Sequence, residues 1–152
     1  MASTITAGTL KVILTEQVIL NGRDQGSKNT LSISSINEVS KRIITTNGTS
    51  ATAIASFAGS PAGGFYVDSS VRYVRVTNLD DTNFAILRFT GDASTDFSVR
   101  LDPGASHILT STSTTGFVDY ADISGVTLED LSGFTATADT AAVDLEVFVA
   151  SA

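Results

Sequence analysis

The chain has 152 residues, 42% of them hydrophobic, a length that favours one domain burying roughly 68–70% of the surface its unfolded form exposes. It contains no Cys, which excludes disulfides and thiolate metal sites, and no apolar run approaches the ~20 residues of a membrane-spanning helix. The net charge of −7 is uneven: residues 1–100 hold all nine Lys and Arg against eight acids (+1), and residues 101–152 hold eight acids with neither Lys nor Arg (−8), which argues against a basic nucleic-acid groove.

Twenty-one Thr and 19 Ser stand against three Lys and four Glu, a shortage of helix formers that points to an all-β chain. The start, Met-Ala-Ser-Thr-Ile-Thr-Ala-Gly-Thr, has neither the basic region nor the apolar stretch of a secretory leader. Residues 1–8 are expected to form an N-terminal arm. Thr9–Leu20 alternates Leu10, Val12 and Leu14 against Lys11, Ile13 and Thr15, then slips phase at Glu16-Gln17 before Val18 and Leu20, the mark of a bulge or of two strands with a bend. Asn21-Gly22 and Gly26-Ser27 bracket a polar tip, after which Leu31, Ile33 and Ser35 resume the alternation.

Ser34–Thr46 carries Ile36, Val39 and Ile43 at helical spacing, but it ends like a strand and runs into Asn47-Gly48, a hairpin-turn pair. It is read as a strand, with Ala51–Ala58 as its return. Gly59–Gly64 is a loop leading to Phe65-Tyr66-Val67.

Val71–Leu109 is the most legible stretch: four apolar-alternating runs separated by Asn-Leu-Asp-Asp-Thr-Asn, Gly-Asp-Ala-Ser-Thr-Asp and Asp-Pro-Gly-Ala, which predicts an antiparallel meander. Period-2 alternation turns Val74, Val76, Ala85, Leu87, Phe89, Phe97, Val99 and Leu101 inward. It sets Tyr73, Arg75, Arg88 and Arg100 on the opposite face, where an arginine stripe would suit a carboxylate-bearing partner. Residues 111–133 are acidic and turn-rich, with Phe117, Asp119, Asp122, Glu129 and Asp130 as candidate contacts, and Thr127–Leu131 is spaced for one helical turn. A stretch of this kind inside a compact domain is usually an interface or functional loop. Ala142–Ala150 is a strand with Val143, Leu145, Val147 and Val149 inward and Asp144 and Glu146 outward.

Chemistry-bearing patterns are sparse. The single histidine, His107, has no second His or Cys to make a metal site and is read as a rim or core side chain. Ser and Asp abound, but no Gly-x-Ser-x-Gly elbow accompanies them. Asp80-Asp81-Thr82-Asn83 resembles half a calcium loop without its Gly and distal Glu, so turn formation explains it. Asn47-Gly48-Thr49 fits a glycosylation acceptor, yet Asn-Gly is better read as the turn. No catalytic, cofactor-binding or metal site is expected.

The runs Tyr73–Asp80, Asn83–Phe89 and Phe97–Ser106 share a pattern: a strand ending in Thr-Asn-Leu-Asp, a strand of the Asn-Phe-x-x-Leu-Arg-Phe kind, and a Leu-x-Pro-Gly-x-Ser turn. With the ending Asp144–Val149, this resembles small virion structural proteins of tailed bacteriophages, particularly those of aquatic phages and cyanophages. The resemblance implies a building block of the particle with no catalytic residues. Strand pattern and resemblance together lead to an all-β, single-domain antiparallel β-sandwich over residues 1–152, jelly-roll-like. The expected role is a capsid decoration (cement) protein, assembled in the host cytoplasm and carried on the virion. Its expected partners are further copies of itself, a trimer foremost, and the major capsid protein or other virion proteins, with no nucleic acid, membrane or cofactor. A tail, neck or baseplate component and a carbohydrate- or receptor-binding fibre-tip module are the alternatives.

Overall fold

The computed structural model describes residues 4–60, 63–64, 66–91, 96–111, 118–121 and 128–152. In chain order the strands are β1 Gly8–Thr15, β2 Ile19–Leu20, β3 Arg23–Asp24, β4 Lys28–Ile36, β5 Glu38–Thr45, β6 Thr52–Ala58, β7 Tyr66–Val67, β8 Val71–Asn78, β9 Ala85–Gly91, β10 Asp96–Leu101, β11 Ser106–Thr110, β12 Val118–Ala121, β13 Leu128–Ala138 and β14 Asp144–Ser151. One 3₁₀ turn, Asp68–Ser70, precedes β8, and no α-helix occurs among the described residues.

Two sheets form the body, antiparallel except where the short β7 runs parallel to β6. Sheet I runs β10-β9-β13-β6-β7, with β12 also on β13, and sheet II runs β11-β8-β14-β5. Pairing is nested: β5 pairs with β14, β6 with β13, β8 with β11 and β9 with β10. β14 then also joins β8, and β13 joins β9. The chain is thus a long antiparallel ribbon folded over, its two limbs changing sheet together.

The inward faces of both sheets meet in one apolar core. Sheet II supplies Val71, Val74, Val76, Val143, Leu145, Val147 and Val149, and sheet I supplies Ile54, Phe57, Leu87, Phe89, Leu131 and Phe134. Phe89 lies between Phe97 and Phe134, with ring centroids 4.9 and 5.0 Å away. Each such side chain contributes about 1.5–3 kcal/mol on full burial, so this sandwich is where the stability resides. The inward residues read from Val71–Leu109 and Ala142–Ala150 all join this core, Phe97 and Val99 as partly buried neighbours.

The meander is corrected. β8 and β9 belong to different sheets, as do β10 and β11, and only β9 and β10 form a sequential hairpin. The connector after β8 is an arch that crosses the sandwich, held by the buried side chain of Asn78. Asn78 Nδ2 donates to the carbonyls of Asn83 (2.9 Å) and Leu101 (3.1 Å), and Oδ1 accepts from Asp80 N (3.0 Å). Its backbone also binds the second arch, accepting from Gly104 N and donating to the Ala105 carbonyl. The two turn motifs of the most legible stretch are therefore stitched to each other at one end of the sandwich. Likewise Asn47-Gly48 carries the chain from sheet II to sheet I and closes no hairpin between β5 and β6. Thr127 lies outside the described residues, and 128–131 start β13 in place of a helical turn.

A third layer lies on the outer face of sheet II. β1 and β4 pair only with each other, from Leu10↔Ile33 to Thr15↔Lys28. Opposite Thr9, β4 carries two residues, Ser34 and Ser35, and Ser35 has a positive φ of 64°. This bulge replaces the expected alternation through Ser35, so that Ile33 and Ile36 both face the body. The phase slip read at Glu16-Gln17 is no shift of register: pairing runs on from Thr15↔Lys28 through Glu16 and Ser27 to Ile19↔Asp24. Past it the hairpin continues through β2 and β3 to a turn at Asn21-Gly22, both with positive φ (51° and 76°), as a two-residue primed turn requires.

Candidate interaction surface

The hairpin Gly8–Ile36 divides into a root and an overhang. At the root, Leu10, Val12, Leu31, Ile33 and Ile36 pack against Tyr73, Phe148 and Ala150 on the outer face of sheet II. Tyr73 and Phe148 meet edge to face at 5.8 Å. Beyond Val12 the hairpin leaves the body, and at ~3.3 Å per residue the eight residues to Leu20 give it a reach of roughly 25 Å. This overhang is hydrogen-bonded throughout. Glu16 and Ser27 exchange both backbone bonds (2.8 and 3.1 Å), and Gln25 N donates to the Val18 carbonyl. At Gly26 an added Cβ would lie 2.1 Å from the Glu16 carbonyl oxygen, so the two limbs approach closely only because that residue is glycine.

The overhang carries apolar side chains with nothing packed over them. Ile13, Leu14, Val18, Ile19 and Leu20 are exposed, Ile19 by 64% and Leu20 by 58%. The polar tip read between Asn21 and Ser27 is exposed, and it pairs with an apolar first limb, Val18-Ile19-Leu20, with Leu20 opposite Arg23. Isolated exposed apolar residues are ordinary on protein surfaces, but Leu14, Val18 and Leu20 share the face of the ribbon that continues from the packed Leu10 and Val12, and a row of that kind marks an interaction surface.

The arginine stripe is not formed. Arg75 lies on the outer face of sheet II, while Arg88 and Arg100 lie on the outer face of sheet I, across the sandwich. Alternation tells which way a side chain points relative to its own strand and not which sheet that strand joins. Each arginine is also engaged within the chain. Arg75 Nη2 meets Glu146 Oε1 at 2.6 Å and its Nη1 donates to Thr77 Oγ1 at 2.6 Å. Arg88 pairs with Asp96. Arg100 Nε donates to Asp102 Oδ1 at 2.7 Å, its guanidinium 3.9 Å from the centroid of the Phe84 ring. Tyr73, expected as a contact residue, is buried beneath the hairpin root, since a pattern of period 2 does not register a third layer. Burial raises its phenol pKa, with neighbouring Arg75 opposing the shift. Of the acidic candidates, Asp130 is exposed, Asp119 and Glu129 are placed by their backbones on β12 and β13, and Phe117 and Asp122 lie outside the described residues.

The root covers only part of the outer face of sheet II. Beside it Lys41 and Arg75 both bind Glu146 (3.0 and 2.6 Å), and hydrogen bonds from these two cations lower the Glu146 pKa. Val39 and Ile43 on β5 and Ile108 on β11 remain exposed around this cluster. At the Asn78 end, Leu79 is exposed beside a shallow hollow lined by Thr45, Asp80, Asp81, Ala142 and Asp144. Asp80 is committed to its own turn: Oδ1 accepts from the backbone N–H groups of Thr82 (2.8 Å) and Asn83 (2.6 Å), which lowers its pKa. Among the described residues no group of His, Cys, Asp and Glu has the arrangement to hold a metal ion. His107 faces the core from β11, 5.4 Å from the Phe89 ring centroid. Its Nε2 is buried without a hydrogen-bond partner, and burial lowers its pKa.

The sequence reading missed the overhang. The signal was Ile13, an apolar residue on the Lys11/Thr15 face of an otherwise alternating run. No protein family, no curated protein and no solved structure matches the chain.

Proposed function

We propose that the chain is a non-enzymatic structural component of a tailed-phage virion, a capsid decoration protein that acts as a homo-oligomer and binds across adjacent capsid subunits. The observation that carries this reading is the hairpin overhang, a hydrogen-bonded arm that leaves Leu14, Val18 and Leu20 exposed along one face and Ile19 on the other. A side-chain row of that kind acts through shape and buried area, as an assembly contact does. The nested strand pairing supports reading the sandwich as a jelly roll, an architecture used repeatedly in viral capsid domains. Binding between neighbouring subunits would add its free energy to that of the shell.

The test is the copy number and position of this chain in purified particles, by quantitative mass spectrometry and electron cryo-microscopy. A decoration protein recurs on every capsomer. Confinement to a few rings at the neck, tail or baseplate would move the protein to those structures, and its absence from particles would end the virion reading.

A further inference from the structure

The part of sheet II's outer face left bare by the hairpin root and the hairpin's own overhang are both unsatisfied, and they match. On the face, exposed Val39 and Ile43 run along β5 toward exposed Leu79. Leu79 is tied to that end of the sheet by its N–H on the Asp144 carbonyl (2.9 Å), beside the hollow that holds Asp81 and Asp144. On the overhang, Val18-Ile19-Leu20 lies alongside Arg23.

Charge divides the same way. Residues 1–36 hold Lys11, Arg23 and Lys28 against Glu16 and Asp24, 3 − 2 = +1; residues 37–152 hold the remaining six cations against fourteen acids, 6 − 14 = −8. Both acids of the hairpin are engaged within it, Glu16 accepting from Ser27 Oγ (2.5 Å) and Asp24 from Gly26 N (2.8 Å). Arg23 and Lys28 make no ion pair among the described residues. The tip therefore offers apolar side chains beside Arg23, a cation without an ion pair, and the bare face offers apolar side chains around the Lys41–Glu146–Arg75 cluster with the carboxylates of Asp81 and Asp144 at its Leu79 end.

We propose that the tip of one copy seats on the bare face of a second copy, Val18 and Leu20 against Ile43 and Leu79, with Arg23, on the same side of the ribbon as Leu20, toward Asp81 and Asp144. The occupant is another copy of this chain because the complementary surface, in both apolar character and sign of charge, is on the chain itself. Tip and face are different surfaces, so the contact is head to tail and closes into a ring when the rotation per copy permits. This deepens the homo-oligomer part of the reading above and is independent of where on a particle the protein sits.

The chain's lack of cysteine makes cross-linking decisive. Two separately tagged single-cysteine variants, Leu20→Cys and Ile43→Cys, are mixed and oxidised. The expected product is the mixed dimer, one variant disulfide-linked to the other, exceeding either same-variant dimer at least tenfold; equal or predominant same-variant dimers, or no cross-link, overturn the proposal. In parallel, light scattering coupled to size exclusion is expected to show wild-type oligomers and at least a tenfold loss of association in Val18→Ser/Leu20→Ser and, separately, in Ile43→Glu. A mixture of these two variants retains one intact tip and one intact face, so it should recover a dimer and nothing larger. A monomeric wild type, or variants that associate normally with unchanged circular dichroism, overturns it. Oligomers that fail to bind particles leave the arm contact standing and remove the virion role, whereas a monomer found on every capsomer does the reverse.

Discussion

The sandwich and the hairpin arm are built from similar residues to opposite ends. In the body, an apolar side chain on one strand faces another across the core, and Leu87, Phe89, Val71 and Leu145 have no exposure at all. In the arm, the overhang has two limbs and no opposing layer, so Ile19 and Leu20 stay in water although their strands are fully hydrogen-bonded. Hydrogen bonding alone does not make a two-stranded ribbon stable. The arm persists because its root is buried on Tyr73 and Phe148. Body residues thus hold the fold, and overhang residues are available for contact.

Substitutions separate the two regions by size of effect. The largest is expected at Phe89→Ala, which empties the stacked centre of the core: about 3–5 kcal/mol of unfolding free energy lost, read by urea denaturation. Asn78→Ala should follow at about 1–3 kcal/mol, because the carbonyl of Leu101 and the N–H of Asp80 lose their partner. Gly133→Ala belongs with it at about 1–3 kcal/mol, since β13 bulges against β9 just before this residue and the new Cβ would sit 2.6 Å from the Ala55 carbonyl oxygen of β6. In the arm, Gly26→Ala should raise amide exchange across residues 16–27 while exchange in β8 and β14 is unchanged. At the small end, Leu20→Ser should shift monomer stability by no more than about 0.5 kcal/mol. A tip substitution that destabilised the monomer as much as Asn78→Ala would break the comparison.

Acidity gives a further handle on the body. His107 is neutral in its apolar setting and its folded pKa is lowered by burial, so the unfolded chain takes up a proton first. Stability from this group is whole above about pH 6.5 and is lost as the pH falls from there toward the folded value. His107→Phe should flatten the stability profile in that window. Glu146 and Asp80, whose pKa values are also lowered, produce a separate fall at more acid pH, in the carboxylate range, which the variant keeps.

The facing of individual strands was legible in the sequence, and their partners were not. Val143, Leu145, Val147 and Val149 alternate without interruption and face the core as read. Yet nothing local in Val71–Leu109 distinguishes a meander from strands that alternate between sheets. That choice is made by Asn78, whose side chain binds two arches 23 residues apart. The candidate contacts failed for the same reason: Tyr73 and Arg75 alternate correctly with Val74 and Val76, but a hairpin from residues 8–36 lies on top of them. Long-range cover of this kind leaves its trace only in the covering segment, here as Ile13 on the wrong face.

β14 occupies the middle of sheet II, between β5 and β8, and joins Thr45 to Asp144 across 99 residues of chain. During synthesis β5 emerges from the ribosome with one side bare and waits for a neighbour translated 99 residues later. The N-terminal hairpin needs only local pairing and can zip at once, whereas the body closes late and slowly, as such distant pairings do. Throughout that interval the nascent edge of β5 is open to strangers, and crowding many copies on one messenger would favour their entanglement before any of them is finished.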